Sequence, residues 1–275
     1  MSFSVNTNTG AAVALQYLNQ TQGRLDQTQS AINSGLKVAS AKDDGAIYAI
    51  AQNQRGAVAG YQSVINSINN GSSSIDVALS AGQSISDLLI QMKQKALAAA
   101  DTSLDTASRQ ALNANFTALR DQIATIVKNA VFNGFNLVDG STNQVAALAS
   151  ADGSRHITTS AQNMTLSGSI VVVKNTSTIS TQTKASALIA TIQTSLTNVN
   201  SALAKLSAGA AKFSIQAAFT MKLSDTITAG IGNLVDANMA QESAMLQSLQ
   251  VKQQLGVQAL SIANQAPQAI LSLFR

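Results

Sequence analysis

The stretch NLVDANMAQESAMLQSLQVKQQLGVQALSIANQAPQAILSLFR, residues 233–275, decides the fold. Its apolar residues recur at helical spacing, and the pattern continues through Ile270, Leu271, Leu273 and Phe274. Chain ends ordinarily fray because few contacts hold them, so a helical end that stays apolar needs a surface to bury it. Residues 1–40 carry a matching stripe, Leu15, Leu18, Leu25, Ile32 and Leu36, at intervals of three, four or seven. Two such helices can pair, but a single pair has too little interior to cover both stripes. The economical solution is that other copies of the chain complete the core. The residues expected between copies are Leu15, Leu18, Leu25, Ile32, Leu36, Leu246, Leu249, Leu255, Leu260, Ile262, Ile270, Leu271, Leu273 and Phe274.

Composition points the same way. Of 275 residues only 11% are charged and 4% aromatic; there is no Trp and a single proline, Pro267. An average domain is about a quarter charged. A surface rich in Ser, Thr, Asn and Gln repels its neighbours weakly, and low charge favours association. The net charge of +4 is scattered, with no basic stripe or interleaved aromatics of the kind that bind nucleic acid. No apolar run approaches the roughly 18 residues of a membrane helix, so membrane insertion is not expected. The start, MSFSVNTNTGAAVALQYLNQ, lacks the basic and apolar regions of a cleavable signal. Zero cysteines remove disulfide and thiol chemistry without deciding the compartment.

Along the chain, Asp44 to about Ala100 contains no proline. Val58, Tyr61, Ile65, Ile68, Ile75, Leu79 and Leu89 fall on one 3-4 line, with Ser72, Gly82 and Ser86 as its small members. That is the period of a long, coiled-coil-like helix, about 80 Å for roughly 55 residues. Asp101, Ser103 and Asp105 are candidate N-caps for a following helix that runs to about Asn129. VFNGFNLVDGS then holds two turn signals, Asn133-Gly134 and Asp139-Gly140. HITTSAQNMTLSGSIVVVKNTSTIS (residues 156–180) is β-branched and poor in helix formers, and reads as two or three short strands. A helical line resumes with Leu188, Ile192, Leu196, Val199, Leu203, Leu206, Phe213, Ile227, Ile231 and Leu234. The fold class is therefore mainly α: a long antiparallel helical rod with paired terminal helices and a small β-hairpin insertion at the chain midpoint. Residues 1–41 and 237–275 form the terminal helices, 42–236 the rod, and 131–183 the β-containing insertion.

Catalysis needs a constellation, and none is visible, so the chain is not expected to be an enzyme or to hold a cofactor or metal. His156 is the only histidine and Glu242 the only glutamate. Asp43 and Asp44 are adjacent and cannot converge as a helical pair; their simpler role is negative charge at the start of the long helix. The glycines form no phosphate-cradling loop.

INSGLKVASAKDDGAIYAIA (residues 32–51) resembles the N-terminal signature of flagellins, and SLQVKQQLGVQALSIANQAPQAILSLFR (residues 248–275) their C-terminus. VFNGFNLVDG (residues 131–140) is similar to a motif at the top of the flagellin core. The matches stand in the expected order at both ends and the middle, and the wording is most like alphaproteobacterial flagellins. The resemblance implies a structural subunit that polymerises into the extracellular flagellar filament, with residues 1–41 and 237–275 as inner filament-core helices. It implies export through the flagellar type III apparatus, and as partners further copies, paralogous flagellins, an export chaperone, and junction and cap proteins. The large outer domains of enteric flagellins are missing. The alternative within the family is the hook–filament junction protein, which forms a ring. Related flagellins carry O-linked sugars on exposed hydroxyls of the outer region, which makes Thr158, Thr159, Ser160, Thr165, Ser167, Ser169, Thr176, Ser177 and Thr178 candidates. The same hydroxyls also suit plain exposed strands. Residues 89–100, LIQMKQKALAAA, differ in charge from the receptor-recognised patch of enteric flagellins, so the resemblance does not extend to that recognition.

Overall fold

A computed structural model describes the backbone of residues 7–272 and the side chains of residues 7–265. Among the described residues there are five helices: α1 (Thr9–Ser34), α2 (Gly45–Ala99), α3 (Thr106–Asn129), α4 (Gln182–Val235) and α5 (Met239–Ser272). Between α3 and α4 lie four short strands, β1 (Val131–Phe132), β2 (Phe135–Asn136), β3 (Gln144–Leu148) and β4 (His156–Ser160). The helix boundaries follow local chemistry. Asn8 caps α1 by accepting from the Ala11 amide at 3.0 Å, and Gly35, at φ 72°, ends it in the left-handed conformation glycine tolerates. Asp44 accepts from the Ala46 and Ile47 amides at 3.0 Å each to start α2. Asp43 instead ties a turn, accepting from the Ala39 and Ser40 amides; these bonds, the Ser40 amide foremost, lower its pKa. Of the three candidate caps before α3, Asp105 is the one used, accepting from the Ser108 amide at 3.0 Å.

The chain forms two compact units: residues 1–56 with 226–275, and residues 57–225. The boundary thus falls inside α2 and α4, beyond the ends of the terminal helices at which the sequence divides the chain. In the second unit the buried line of α2 is Val64, Ile68, Gly71, Ile75, Ala78, Gly82, Ile85, Leu89, Met92, Ala96 and Ala99, an unbroken 3-4 repeat. It shares Ile68, Ile75, Gly82 and Leu89 with the expected line, and Ile65 is buried as well, but the other intervening positions sit one residue earlier than Ser72, Leu79 and Ser86. Glycine is the reason: the Phe213 ring of α4 lies where a side chain at residue 71 would stand. A count of large apolar residues misses a buried glycine. The α4 line continues through Ile192, Ser195, Val199, Ala202, Leu206, Gly209, Phe213 and Thr220, all buried.

The insertion holds two antiparallel hairpins. In the first, Phe132 pairs with Phe135 around Asn133-Gly134, whose φ angles of 48° and 82° suit the tight turn that dipeptide favours. In the second, Gln144–Leu148 pairs with Ser160–His156. The β-branched run IVVV, residues 170–173, is not a strand. Only an isolated bridge links Leu166 and Val171, and its backbone is satisfied by helix side chains: the Val172 amide donates to the Ser195 hydroxyl at 3.1 Å, and Asn198 donates to the Ser169 and Ile170 carbonyls. Val171 and Val173 are fully buried in the same core. Burial and β-branching made this run look like a strand, but beyond the bridge to Leu166 and the Ser167 amide's bond to the Val173 carbonyl it has no strand to pair with.

Candidate assembly surface

The terminal helices α1 and α5 pack against each other along their length within the first unit. Their direction follows from successive contacts: Asn8 donates to the Ala263 carbonyl at 2.7 Å, Gln253 donates to Gln22 at 2.6 Å, and Leu18 fills the space beside Gly256. The pair is antiparallel. It is anchored where the Lys37 amide donates to the Val235 carbonyl at 2.8 Å and the Ala237 amide to that of Gly35 at 2.9 Å. Asn238 caps α5, accepting from the Ala240 and Gln241 amides.

This pairing divides the expected interface residues. Leu25 and Leu249 are buried, 6% and 2% exposed, inside the chain's own helix pair. Leu18, Ile32, Leu36, Leu246 and Leu260 are half-buried. Leu15, Leu255 and Ile262 remain exposed, Ile262 by 69%. Ile270 and Leu271 belong to α5 but their side chains lie outside the described residues, and Leu273 and Phe274 lie wholly outside them. The structure adds what the sequence reading left out: Val13, Tyr17, Met245, Val251 and Val257 are exposed too.

α5 is therefore apolar on two opposite sides. Leu246, Leu249, Gly256, Leu260 and Ala263 take the α1 side at spacings of three, four and seven. Ala240, Ala244, Val251, Leu255 and Ile262 follow one another at 4, 7, 4 and 7 on the other, all exposed. At about 100° per residue the second set is centred roughly 160° from the first. An 11-residue repeat stays nearly in step with the helix, so the outer stripe runs almost straight along it. Only Glu242 and Lys252 are charged between residues 239 and 265. The signal was present in the sequence as that 4-7 spacing, which a search for one face averages away.

The insertion's hydroxyls are also sorted. Ser160, Ser167, Ser169 and Thr176 are exposed, and Thr158, Thr165, Ser177 and Thr178 half-buried. Thr159 corrects the expectation for its position: it is 7% exposed and wedged against Gly209 of α4, so a sugar could not reach its hydroxyl. His156 stands exposed at the start of β4, opposite Leu148. Among the described residues no three His, Asp or Glu side chains converge, Arg120 pairs with its neighbour Asp121, and no helix is long and apolar enough to cross a membrane.

Comparisons with known proteins agree with this arrangement. Residues 5–143 match the bacterial flagellin N-terminal helical region, and residues 189–274 the bacterial flagellin C-terminal helical region. Flagellin FljK of Caulobacter vibrioides is 52% identical over 99% of this chain and 98% of its own. Flagellin FljJ of the same organism is 42% identical over 100% and 99%. A putative flagellar hook-associated protein of Vibrio parahaemolyticus shares the fold, with a TM-score of 0.56 over 70% of this chain and 100% of its own, at 15% identity. Full-length identity thus lies with the flagellins and the hook-associated likeness is one of fold, so the junction-protein alternative is not favoured. The chain belongs to the bacterial flagellins, alphaproteobacterial in type: structural, non-enzymatic subunits of the extracellular flagellar filament.

Proposed function

We propose that the chain polymerises by laying the outward stripe of α5, with the exposed residues of α1, against neighbouring copies. Residues 1–41 and 237–275 then form the inner filament core, and the insertion of residues 131–183 forms the outer surface. The observation that carries this is the doubly apolar α5: one side is covered by α1, and Val251, Leu255 and Ile262 are left exposed at 55%, 57% and 69%. Each such side chain contributes roughly 1.5–3 kcal/mol when fully buried, and the contact repeats at every subunit. Contacts that join different surfaces head to tail do not close, and so generate filaments. Paralogous flagellins would share the polymer. An export chaperone, junction and cap proteins would meet the same terminal helices before and during assembly. Ser160, Ser169 and Thr176, exposed on the insertion, are the hydroxyls best placed to carry sugars; an intact mass of 28.3 kDa for native filaments would remove the glycan idea.

Leu255→Asp tests the stripe. A carboxylate there would enter an apolar contact with no partner, at a cost well beyond a lost methyl contact. The variant is expected to remain monomeric at concentrations where the parent forms sedimenting filaments, with unchanged circular dichroism. Normal filaments from Leu255→Asp would sink the assignment.

A further inference from the structure

The dipeptide Asn-Gly occurs twice in this chain, at residues 70–71 and 133–134. Glycine has no Cβ, so the amide nitrogen that follows such an asparagine can approach its side-chain carbonyl without obstruction. The two copies stand in opposite surroundings, both within residues 57–225. Gly71 is buried in the middle of α2 with the Phe213 ring against it, and the helix ladder commits its amide to a carbonyl four residues back. Asn133 and Gly134 are exposed at the tip of the β1–β2 hairpin, at φ 48° and 82°, and nothing lies within 4 Å of where a Gly134 side chain would begin. The hairpin holds two residue pairs, Val131 with Asn136 and Phe132 with Phe135, and so short a ladder opens readily.

We infer that Asn133 is a modification site, at which spontaneous deamidation produces isoaspartate and undoes the β1–β2 hairpin. The Gly134 amide nitrogen attacks the Asn133 side-chain carbonyl carbon. The new N–C bond closes a succinimide ring, and the side-chain nitrogen leaves as ammonia with the amide proton. Water then opens the ring. Attack at the side-chain carbonyl gives aspartate; attack at the main-chain carbonyl gives isoaspartate, whose main chain runs through the side chain and is longer by one methylene. A two-residue turn fixes the hairpin register, so the added methylene takes Phe132 and Phe135 out of opposition. The change stops at Asn136. Its buried carboxamide donates to the Val127 carbonyl at 2.7 Å and accepts from the Val138 and Asp139 amides at 2.9 and 3.1 Å, bonds that do not pass through the turn. The subunit keeps its core and carries an age mark at the hairpin tip.

The test incubates folded full-length monomer at mildly alkaline pH and maps its peptides by chromatography that separates asparagine, aspartate and isoaspartate. Asn133 should convert roughly ten-fold or more faster than Asn70, because Asn70 reacts only when α2 opens. In denaturant the two sites should convert at comparable rates. Amide hydrogen exchange of the isoaspartate form should be faster than that of fresh protein at residues 131–135 and unchanged at 137–138. Asn133→Asp supplies the charge without the methylene and should exchange like fresh protein. The inference is overturned if folded protein keeps Asn133 intact while denatured chain converts both sites, or if Asn70 keeps pace with Asn133. It is equally overturned if the isoaspartate form exchanges like fresh protein, or if Asn133→Asp loosens the hairpin as fully as isoaspartate does.

Discussion

The two units of this chain are built from the same helical grammar and end in opposite states. In residues 57–225 the 3-4 lines of α2 and α4 are buried throughout, and Phe116, Phe213, Ile75, Leu89, Ile123 and Met164 are sealed from water. In the unit of residues 1–56 and 226–275, burial stops at Leu25, Ala31, Val38, Ala51, Ile231, Val235 and Leu249, while a row of Val, Leu and Ile on α5 faces outward. Both units are built from long helices with apolar residues at helical spacing. What differs is how many apolar sides each helix has relative to the neighbours available within the chain. Helical stability in water comes mainly from packing an amphipathic face; residues 57–225 close a core of their own although Leu97, Ile215 and Phe219 stay exposed, whereas the proposed assembly is what would complete the first unit.

The largest expected effect falls in the unit that closes its own core. Phe213→Ala removes a fully buried ring that packs on Gly71 of α2 and should destabilise residues 57–225 by about 3–5 kcal/mol. Chemical denaturation checks this, and a loss below about 1 kcal/mol would show that the core can collapse around the gap. A smaller effect compares one glycine from each unit. At Gly71 a methyl meets the Phe213 ring, so Gly71→Ala should cost about 1–3 kcal/mol. At Gly23, inside α1, nothing lies within 4 Å of an added methyl, so Gly23→Ala should stabilise the helix by roughly 0.5–1 kcal/mol. Thermal melts that moved both variants in the same direction would erase the contrast between a filled core and an open face.

The smallest effect concerns the turn between β3 and β4. Asp152 accepts from the Ser150 hydroxyl at 2.5 Å and from the Ser154 amide and hydroxyl. These bonds, the Ser150 hydroxyl first, hold its pKa at about 2, below the ordinary 3.8. A depressed carboxylate stabilises its turn above its unfolded pKa and loses that contribution as pH falls through the folded one. The turn should therefore loosen between about pH 4 and pH 2, and carboxyl NMR should place the Asp152 midpoint near 2. A midpoint near 3.8 would show the Ser150 and Ser154 bonds to be absent in solution.

The sequence made the helices legible because their apolar spacing is long and uninterrupted, and made the family legible through motifs at both ends. It was less informative where packing is done by small residues. Gly71 and Ala78 carry the buried line of α2 yet add little to any apolar pattern, which is why the line was displaced by a residue. Val171 and Val173 have strand chemistry but are buried without a strand partner, with Ser195 and Asn198 serving the backbone of Val172, Ser169 and Ile170 beside them. On α5 the two apolar sides overlap in sequence, so Leu249, which faces α1, and Leu255, which faces outward, look alike until the helix pair exists. The same holds for Thr159, a surface hydroxyl by sequence and a core one once β4 packs on Gly209.

The central claim, that the first unit is finished by other copies, is tested most directly by amide hydrogen exchange of the full-length chain as monomer and as filament. Protection in residues 57–225 should be high and similar in both states. Residues 9–34 and 239–265 should exchange fast in the monomer, because one side of their pair is open, and slow by orders of magnitude on assembly. Equal protection of the terminal helices in the two states would mean that they are already complete alone, and would contradict the account.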